Sequence, residues 1–349
     1  MCSLMEGKNS TMRAVIRDWG KLSFKNDYPI PSIGSHNVLV RIKAAAINPV
    51  DYKLPSIILG TVVASDFSGV IESVGVNVTK FAVGDEVYGK TNGSLADFCV
   101  AEVNDISLKP KNLSHSEAAA IPLTYLTSLQ GLRDLGKLKK SGRVLIIGAS
   151  GGCGIAALQL SRSMGASDIE AVCSGKNSEL VRSHGATEVI DYQQHDLLKY
   201  FQRDSSDSIG DSLKFDVIYD AATGSGAGED YKSKSMKLLR NEEEDREEGQ
   251  YVAINGGPEI WIRQFIIGHK KQQNLVVYKF GNDSRDLEYL SKLAEDGWEE
   301  ETGNRKHLAP VVGTLLPLTP ENVKNGFQIL KSRRSIGKIV FDLAGEQRS

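Results

Sequence analysis

Only four residues of the chain are cysteine, and Cys2, Cys99, Cys153 and Cys173 form no Cys-x-x-Cys pair. Neither a disulfide framework nor a zinc knuckle is indicated. Charge of one sign is also lacking: 42 Lys and Arg against 44 Asp and Glu leave a formal net charge of −2. That balance offers no basic field to nucleic acid or to an anionic membrane surface. No apolar run approaches the roughly 20 residues that span a bilayer, so no integral membrane segment is expected. Residues 1–11 carry neither the apolar stretch of a secretory signal nor an arginine-rich transit pattern. The expected address is cytoplasmic, with an internal organelle signal left open. Histidine is sparse, and His36, His115, His184, His195, His269 and His307 all fall outside the motifs described below. They read as structural or surface residues.

What is present is an ordinary globular balance in a chain long enough for one large core or two domains. The first third alternates short β-rich runs, Met12 to Ile16, Asn37 to Ala45, Phe67 to Gly75 and Asp85 to Tyr88, with glycine and proline punctuation. The texture changes near Ser114, where Ser116 to Ile121 and Thr124 to Leu135 look helical. From Arg143 strands and helices alternate: Arg143 to Ile147, a helix from Gly154, Ile169 to Cys173, a helix from Ser178, and Glu188 to Ile190. Phe215 to Tyr219, Tyr251 to Ile254 and Asn274 to Phe280 continue the series. Such alternation implies a parallel sheet covered on both faces. After Trp298 short β-like pieces return, ending at Lys338 to Leu343, as though the tail rejoins the first domain. The acidic run at residues 241–248 reads as a solvated surface insertion.

The strongest chemical signal is the apolar strand Val144 to Ile147 running into Gly148-Ala149-Ser150-Gly151-Gly152-Cys153-Gly154. A helix follows, with Ala156, Leu160 and Met164 on one stripe. Glycines let the backbone turn tightly and let a pyrophosphate approach without meeting a Cβ, while the helix N-terminus offers N–H groups and partial positive charge. The spacing GxxGxxG is weak alone; the strand before and the helix after give it weight. Cofactor choice is read at the end of the next strand, where NAD enzymes place an acid. Here Cys173-Ser174-Gly175-Lys176-Asn177 offers a hydroxyl and an ammonium instead, which favours a 2′-phosphate and hence NADPH. The competing reading makes Lys176 an ordinary solvated lysine.

Ala46-Ile47-Asn48-Pro49-Val50-Asp51-Tyr52-Lys53 resembles the A-x-N-P-x-D-x-K segment of the zinc-independent medium-chain dehydrogenase/reductase superfamily, in its quinone oxidoreductase and alkenal/enone reductase branch. Ser65 to Ile71, Val74-Gly75 through Val78 to Gly89, Ala118 to Pro122 with Leu126-Thr127, the glycine loop and Gly337 to Val340 continue the similarity in register.

The resemblance implies an α/β protein: a GroES-like β-rich catalytic domain, residues 1–127 with a C-terminal return over 298–349, plus a Rossmann doubly wound parallel-sheet domain over 128–297. It implies a cleft for NADPH and substrate, and a homodimer. Zinc members use cysteine and a Gly-His-Glu segment; where those would fall this chain has Asn48-Pro49 and Ala64-Ser65-Asp66, so no metal is expected. By motif, Asn48 and Thr127 go to the nicotinamide end, Gly151, Gly152, Cys153 and Gly154 to the pyrophosphate, and Ser174, Lys176 and Tyr192 to the 2′-phosphate and adenine. Asn255 and Gly256 would flank the nicotinamide, Lys338 joins the cofactor contacts, and Tyr52 and Lys53 are the catalytic candidates. Bland readings compete: Asp51 capping locally, Tyr192 packing at a strand end, Lys338 lying on the surface. Two departures stand out, a shortened run between Lys53 and Asp66, and Ala64 where the family carries glycine.

The expected chemistry is hydride transfer to a quinone, or to the C=C bond of an α,β-unsaturated aldehyde or ketone, with the proton from Tyr52 or water. An NADPH-binding regulatory or partner-binding module with little catalysis is the alternative.

Overall fold

The structure, a computed structural model, describes residues 11–18, 21–53, 60–202, 210, 213–222, 231–242, 247–254, 274–275, 283–300 and 303–344. Two compact units emerge, one of Met1–Leu123, Phe280–Asp296 and Ala309–Ser349, the other of Thr124–Lys279 and Gly297–Leu308.

The first unit opens with an antiparallel hairpin of β1 (Thr11–Asp18) and β2 (Lys21–Pro29). Then come β3 (Asn37–Ile47), the single turn α1 (Val50–Lys53), β4 (Asp66–Val74), β5 (Glu86–Lys90), β6 (Phe98–Glu102), β7 (Ile106–Leu108) and α2 (His115–Ala119). A full capping box starts α2: the Ser114 side chain accepts from Glu117 N–H while the Glu117 carboxylate takes the Ser114 N–H, satisfying two otherwise orphaned donors.

The second unit starts within α3 (Pro122–Gln130) and runs through β8 (Arg143–Ile147), α4 (Gly152–Ser163), β9 (Asp168–Cys173), α5 (Ser178–Ser183), β10 (Glu188–Asp191), α6 (Leu197–Phe201), β11 (Val217–Asp220), α7 (Tyr231–Leu238), β12 (Gln250–Ala253) and β13 (Asn274–Leu275). These six strands form one parallel sheet in the order β10-β9-β8-β11-β12-β13. From β8 the chain winds first to one side, then to the other, so the strand order reverses between β8 and β11. In open α/β sheets ligands bind outside the carboxyl ends of the strands at that reversal. β8 and β11 are buried along nearly their whole length, with Leu145, Ile147, Ile218 and Phe215 in one core.

The last part of the chain differs from its sequence reading. Helix α8 (Ser284–Glu295) buries Leu287, Leu290, Leu293 and Ala294 on one face. The short pair β14 (Trp298–Glu299) and β15 (Arg305–Lys306) follows, then β16 (Val312–Pro317). Where only β-like pieces were expected, α9 (Pro320–Ser332) forms a 13-residue helix. Thr319 caps it by accepting from Asn322 N–H, Pro320 sits in its first turn, and Val323, Phe327 and Leu330 are buried, the spacing of one helical face. The final strand, β17 (Lys338–Asp342), pairs parallel with β16 and antiparallel with β3. Thus the end of the chain completes the sheet of the first unit, whose core includes Val40, Phe67, Ile71, Val87 and Phe341.

Candidate functional site

In the second unit the glycine loop leaves β8 through Gly148, whose φ of +78° is a left-handed conformation suited to glycine. The N–H groups of Gly148 and Ala149 donate to Val172 O at 3.0 and 3.1 Å, and Gly151 N–H to Gly148 O at 3.2 Å. Two of the glycines answer to different causes. A Cβ on Gly154 would lie 2.3 Å from Gly148 O and 2.6 Å from Ala149 Cα, so the loop's own backbone demands glycine there. A Cβ on Gly151 would meet only Gly148 O, at 3.5 Å, an ordinary contact. Gly151 also has φ −79°, open to any residue. Neither packing nor torsion explains it. Gly151 caps α4, whose first-turn N–H groups have no acceptors within the helix.

Beneath the loop a polar chain holds its backbone. The Ser128 hydroxyl lies 2.9 Å from Cys153 O, from Thr124 O and from the Tyr219 phenol oxygen. One hydroxyl carries one proton, so with Ser128 donating to a carbonyl, Tyr219 donates to Ser128. Burial holds the Tyr219 phenol neutral, well above its ordinary range. Thr127 is buried one residue before Ser128. This Ser128–Tyr219 support has no local sequence signal, since its partners lie 91 residues apart.

At the carboxyl end of β9, Ser174 is buried and donates to Gln193 Oε1 at 3.3 Å. Lys176 is exposed on the same turn. Tyr192 follows β10, its N–H donating to Cys173 O at 3.2 Å. Its side chain is 47% exposed, so it is not packed as a strand-end aromatic. The ends of β9 and β10 therefore bring Ser174, Lys176 and Tyr192 together. An acid is also present that the sequence reading did not expect here. A Cβ on Gly175 would fall 2.4 Å from Asp191 Oδ2, while Asp191 Oδ1 accepts the Gln193 N–H at 3.0 Å. Burial, with Asp191 nearby, pushes the Cys173 thiol up to about 11.

In the first unit Asp51 Oδ2 accepts Asn48 N–H at 2.6 Å across Pro49, which stands just before α1. Asp51 does cap locally, as its bland reading had it. Burial pushes its carboxyl up to about 7, with Asp66 adding to the rise and the Asn48 N–H opposing it. The Asn48 side chain is engaged on both sides. Its Nδ2 donates to Asp66 Oδ2 at 2.9 Å, and its Oδ1 accepts from the Lys338 ammonium. Lys338 also reaches Ile47 O at 3.3 Å and Asp66 Oδ2 at 3.1 Å. Lys338 is thus buried, not a surface lysine, and its three donors face three acceptors of its own unit. Asp66 Oδ1 accepts Leu123 N–H at 3.1 Å.

Tyr52 and Lys53 lie one turn on. The Tyr52 ring packs against the unit's core, with Lys331 Nζ 5.7 Å from its centroid. Burial and the Arg333 guanidinium lower the pKa of the Lys53 ammonium. Asn255 and Gly256 lie outside the described residues, as do most of the expected strand Asn274 to Phe280 and part of the acidic run. His115, outside the candidate motifs, bridges Ser68 Oγ at 2.8 Å and Glu86 at 3.2 Å. Among the described residues no group of three His, Cys, Asp or Glu side chains is placed to hold a metal ion. No helix among them is long and apolar enough to cross a membrane.

Comparison with known proteins decides the family. Residues 34–111 match the alcohol dehydrogenase GroES-like domain. A 2-methylene-furan-3-one reductase of Solanum lycopersicum is 31% identical over 337 residues, 91% of this chain and 75% of its own. The chain belongs to the medium-chain dehydrogenase/reductase superfamily, in its quinone oxidoreductase and alkenal/enone reductase branch. A second member of the branch, the chloroplastic NADPH-dependent alkenal/one oxidoreductase of Arabidopsis thaliana, is 29% identical over the same length and the same shares of both chains. The quinone oxidoreductase from Coxiella burnetii shares the fold, with a TM-score of 0.72 over 95% of this chain and 99% of its own at 24% identity.

Proposed function

We propose that this member of the superfamily is an NADPH-dependent oxidoreductase acting on a quinone or on the C=C bond of an α,β-unsaturated aldehyde or ketone, without a metal. One observation carries the reading. Gly151 is a glycine that neither its torsion nor its neighbours require, at the N-terminus of α4 and at the sheet's strand-order reversal. A phosphate group approaching backbone N–H is the ligand such a position suits. The chain's relatives in tomato and Arabidopsis carry enone or alkenal reductase names, the second of them NADPH-dependent.

On this reading Gly151, Gly152, Cys153 and Gly154 hold the pyrophosphate. Ser174 and Lys176 take the 2′-phosphate as hydrogen-bond donor and cation, and Tyr192 offers its exposed ring to the adenine. The family pattern assigns Asn48, Thr127, Asn255 and Gly256 to the nicotinamide end. NADPH, when bound, supplies the hydride. Tyr52 and Lys53 are the donors proposed for the substrate oxygen as it gains charge, and an enolate or quinol anion takes its proton from Tyr52 or water. Asn48 and Ala64-Ser65-Asp66 contain no Cys or His, the ligands that zinc prefers in catalytic sites. The reading further includes a homodimer, which the family pattern implies, with the cytoplasm as the proposed address.

The test is NADPH oxidation with 9,10-phenanthrenequinone, 1,4-benzoquinone, acrolein and a long-chain enone, with NADH in parallel. Turnover is expected with NADPH preferred, and Lys176→Ala should raise KM for NADPH tenfold or more while leaving KM for NADH unchanged. NADPH binding without turnover of any acceptor would support a regulatory module instead. Failure to bind either nucleotide would sink the proposal.

A further inference from the structure

Lys338 lies at the start of β17, just past Gly337, whose φ is +55°. A Cβ on Gly337 would sit 2.3 Å from Val311 O, and Lys338 N–H bonds that same carbonyl at 2.9 Å. The glycine lets the chain bend tightly against Val311. Next in sequence, the lysine enters the interior beside Asn48, and the neighbouring register pair is Ile339 with Ile47. A buried ammonium needs a countercharge and acceptors. Asp66 is the countercharge, and Ile47 O, Asn48 Oδ1 and Asp66 Oδ2 are the acceptors.

This arrangement fixes which way the Asn48 amide faces. An ammonium only donates and a carboxylate only accepts. Lys338 therefore selects the carbonyl end of the amide and Asp66 the NH2 end. Turning the amide over would set its NH2 against the ammonium and its oxygen against the carboxylate, losing both bonds and adding two repulsions. One N–H of Nδ2 and one lone pair of Oδ1 are left over, in a defined order, among the described residues. The ammonium itself has no donor left for a ligand.

We infer that Lys338 is a positioning residue rather than a cofactor contact: with Asp66 it locks the Asn48 amide in the single orientation that meets the nicotinamide end of the dinucleotide. The inference rests on the reading of Asn48 as a cofactor contact. It differs in kind from the direct role expected for Lys338, because the lysine then acts only through Asn48.

The test is a double-mutant cycle on the full-length enzyme, combining Lys338→Met with Asn48→Ala, with thermal melting measured for each variant. The expected result for Lys338→Met is a kcat at least tenfold lower, with KM for NADPH changed less than threefold. Adding Lys338→Met to Asn48→Ala should then cost little more than Asn48→Ala alone. Lys338→Arg keeps the cation and should recover part of the lost kcat. Should the Met variant fail to fold, the kcat and KM of the Arg variant decide by the same split. A raised KM for NADPH at unchanged kcat, or additive losses in the cycle, would overturn the inference in favour of direct contact. Unchanged kinetics for Lys338→Met with an impaired Asn48→Ala would overturn it alone, whereas an unimpaired Asn48→Ala would overturn the cofactor reading of Asn48 beneath it.

Discussion

The two units build their candidate functional surfaces from opposite materials. In the parallel-sheet unit the glycine loop works by what is absent: no Cβ at Gly151 or Gly154, and a backbone held from below by Ser128. In the β-rich unit the candidate residues are side chains locked by buried charge, with Asn48 between Asp66 and Lys338 and Asp51 beneath its N–H. A second buried pair, Lys90 with Asp283, repeats the device within that unit. Backbone sites fail by steric intrusion, which is insensitive to pH. Sites set by buried charge answer to protonation and to the identity of the partner.

The sharpest way to break this comparison is at the two glycines. Gly154→Ala forces a methyl into the loop's own backbone and should cost about 3 kcal/mol or more, with nucleotide binding weakened more than a hundredfold. Gly151→Ala should cost about 1 kcal/mol or less, the scale of an N-cap change, yet weaken NADPH binding at least tenfold. Urea unfolding and fluorescence titration with NADPH separate the two effects. Equal losses of stability would mean that Gly151 too is required by packing.

A smaller, pH-dependent effect is expected from Asp51. Its folded carboxyl lies at about 7 against 3.8 for the free group. Between those values the folded chain keeps a proton that the unfolded chain has released, so stability falls as pH rises through the window and levels off above it. Asp51→Asn retains an oxygen for the Asn48 N–H and removes the titration. It should be close to the parent at pH 4 and more stable by a few kcal/mol at pH 8, since each tenfold change in proton affinity is worth about 1.4 kcal/mol. Parallel slopes of stability against pH for the two proteins would remove Asp51 from the charge network.

The least effect comes from Ala64, which holds a φ of +68°. Ala64→Gly removes a left-handed strain of about 1–2 kcal/mol and returns part of it as freedom in the unfolded chain. A gain below about 1 kcal/mol is expected by calorimetry; a loss would show that the methyl group's packing outweighs the strain.

How legible all this was depended on distance along the chain. The strand, loop and helix around Gly148 to Gly154 are contiguous, so residue order displayed the candidate phosphate cradle directly. Asn48, Pro49 and Asp51 stand close enough for their local capping to be one of the readings. Helix α9 was missed although Thr319, Pro320 and the Val323, Phe327, Leu330 spacing signalled it, because the surrounding β-like texture outweighed the cap. The pairing of Lys338 with Asn48 spans 290 residues, and that of Asp66 with Lys338 spans 272. No local pattern announces a lysine whose donors are consumed so far away. The carboxylate of Asp191 against Gly175 escaped for a related reason, since it reaches the turn after β9 from the neighbouring strand.

The place of β17 also has a consequence in time. The strand that pairs with the Ala44–Ile47 end of β3 occupies residues 338–342, far behind it in the order of synthesis. At roughly 5–20 residues per second, a ribosome emits β3 some 15 to 60 s before its partner arrives. All six strands of the parallel sheet have left the exit tunnel within that interval, while the Ala44–Ile47 end of β3 still shows an open seam of N–H and C=O groups. A growing chain of this protein therefore finishes its middle before its beginning. Any polypeptide released before β17 is made carries a first unit that no amount of waiting can close.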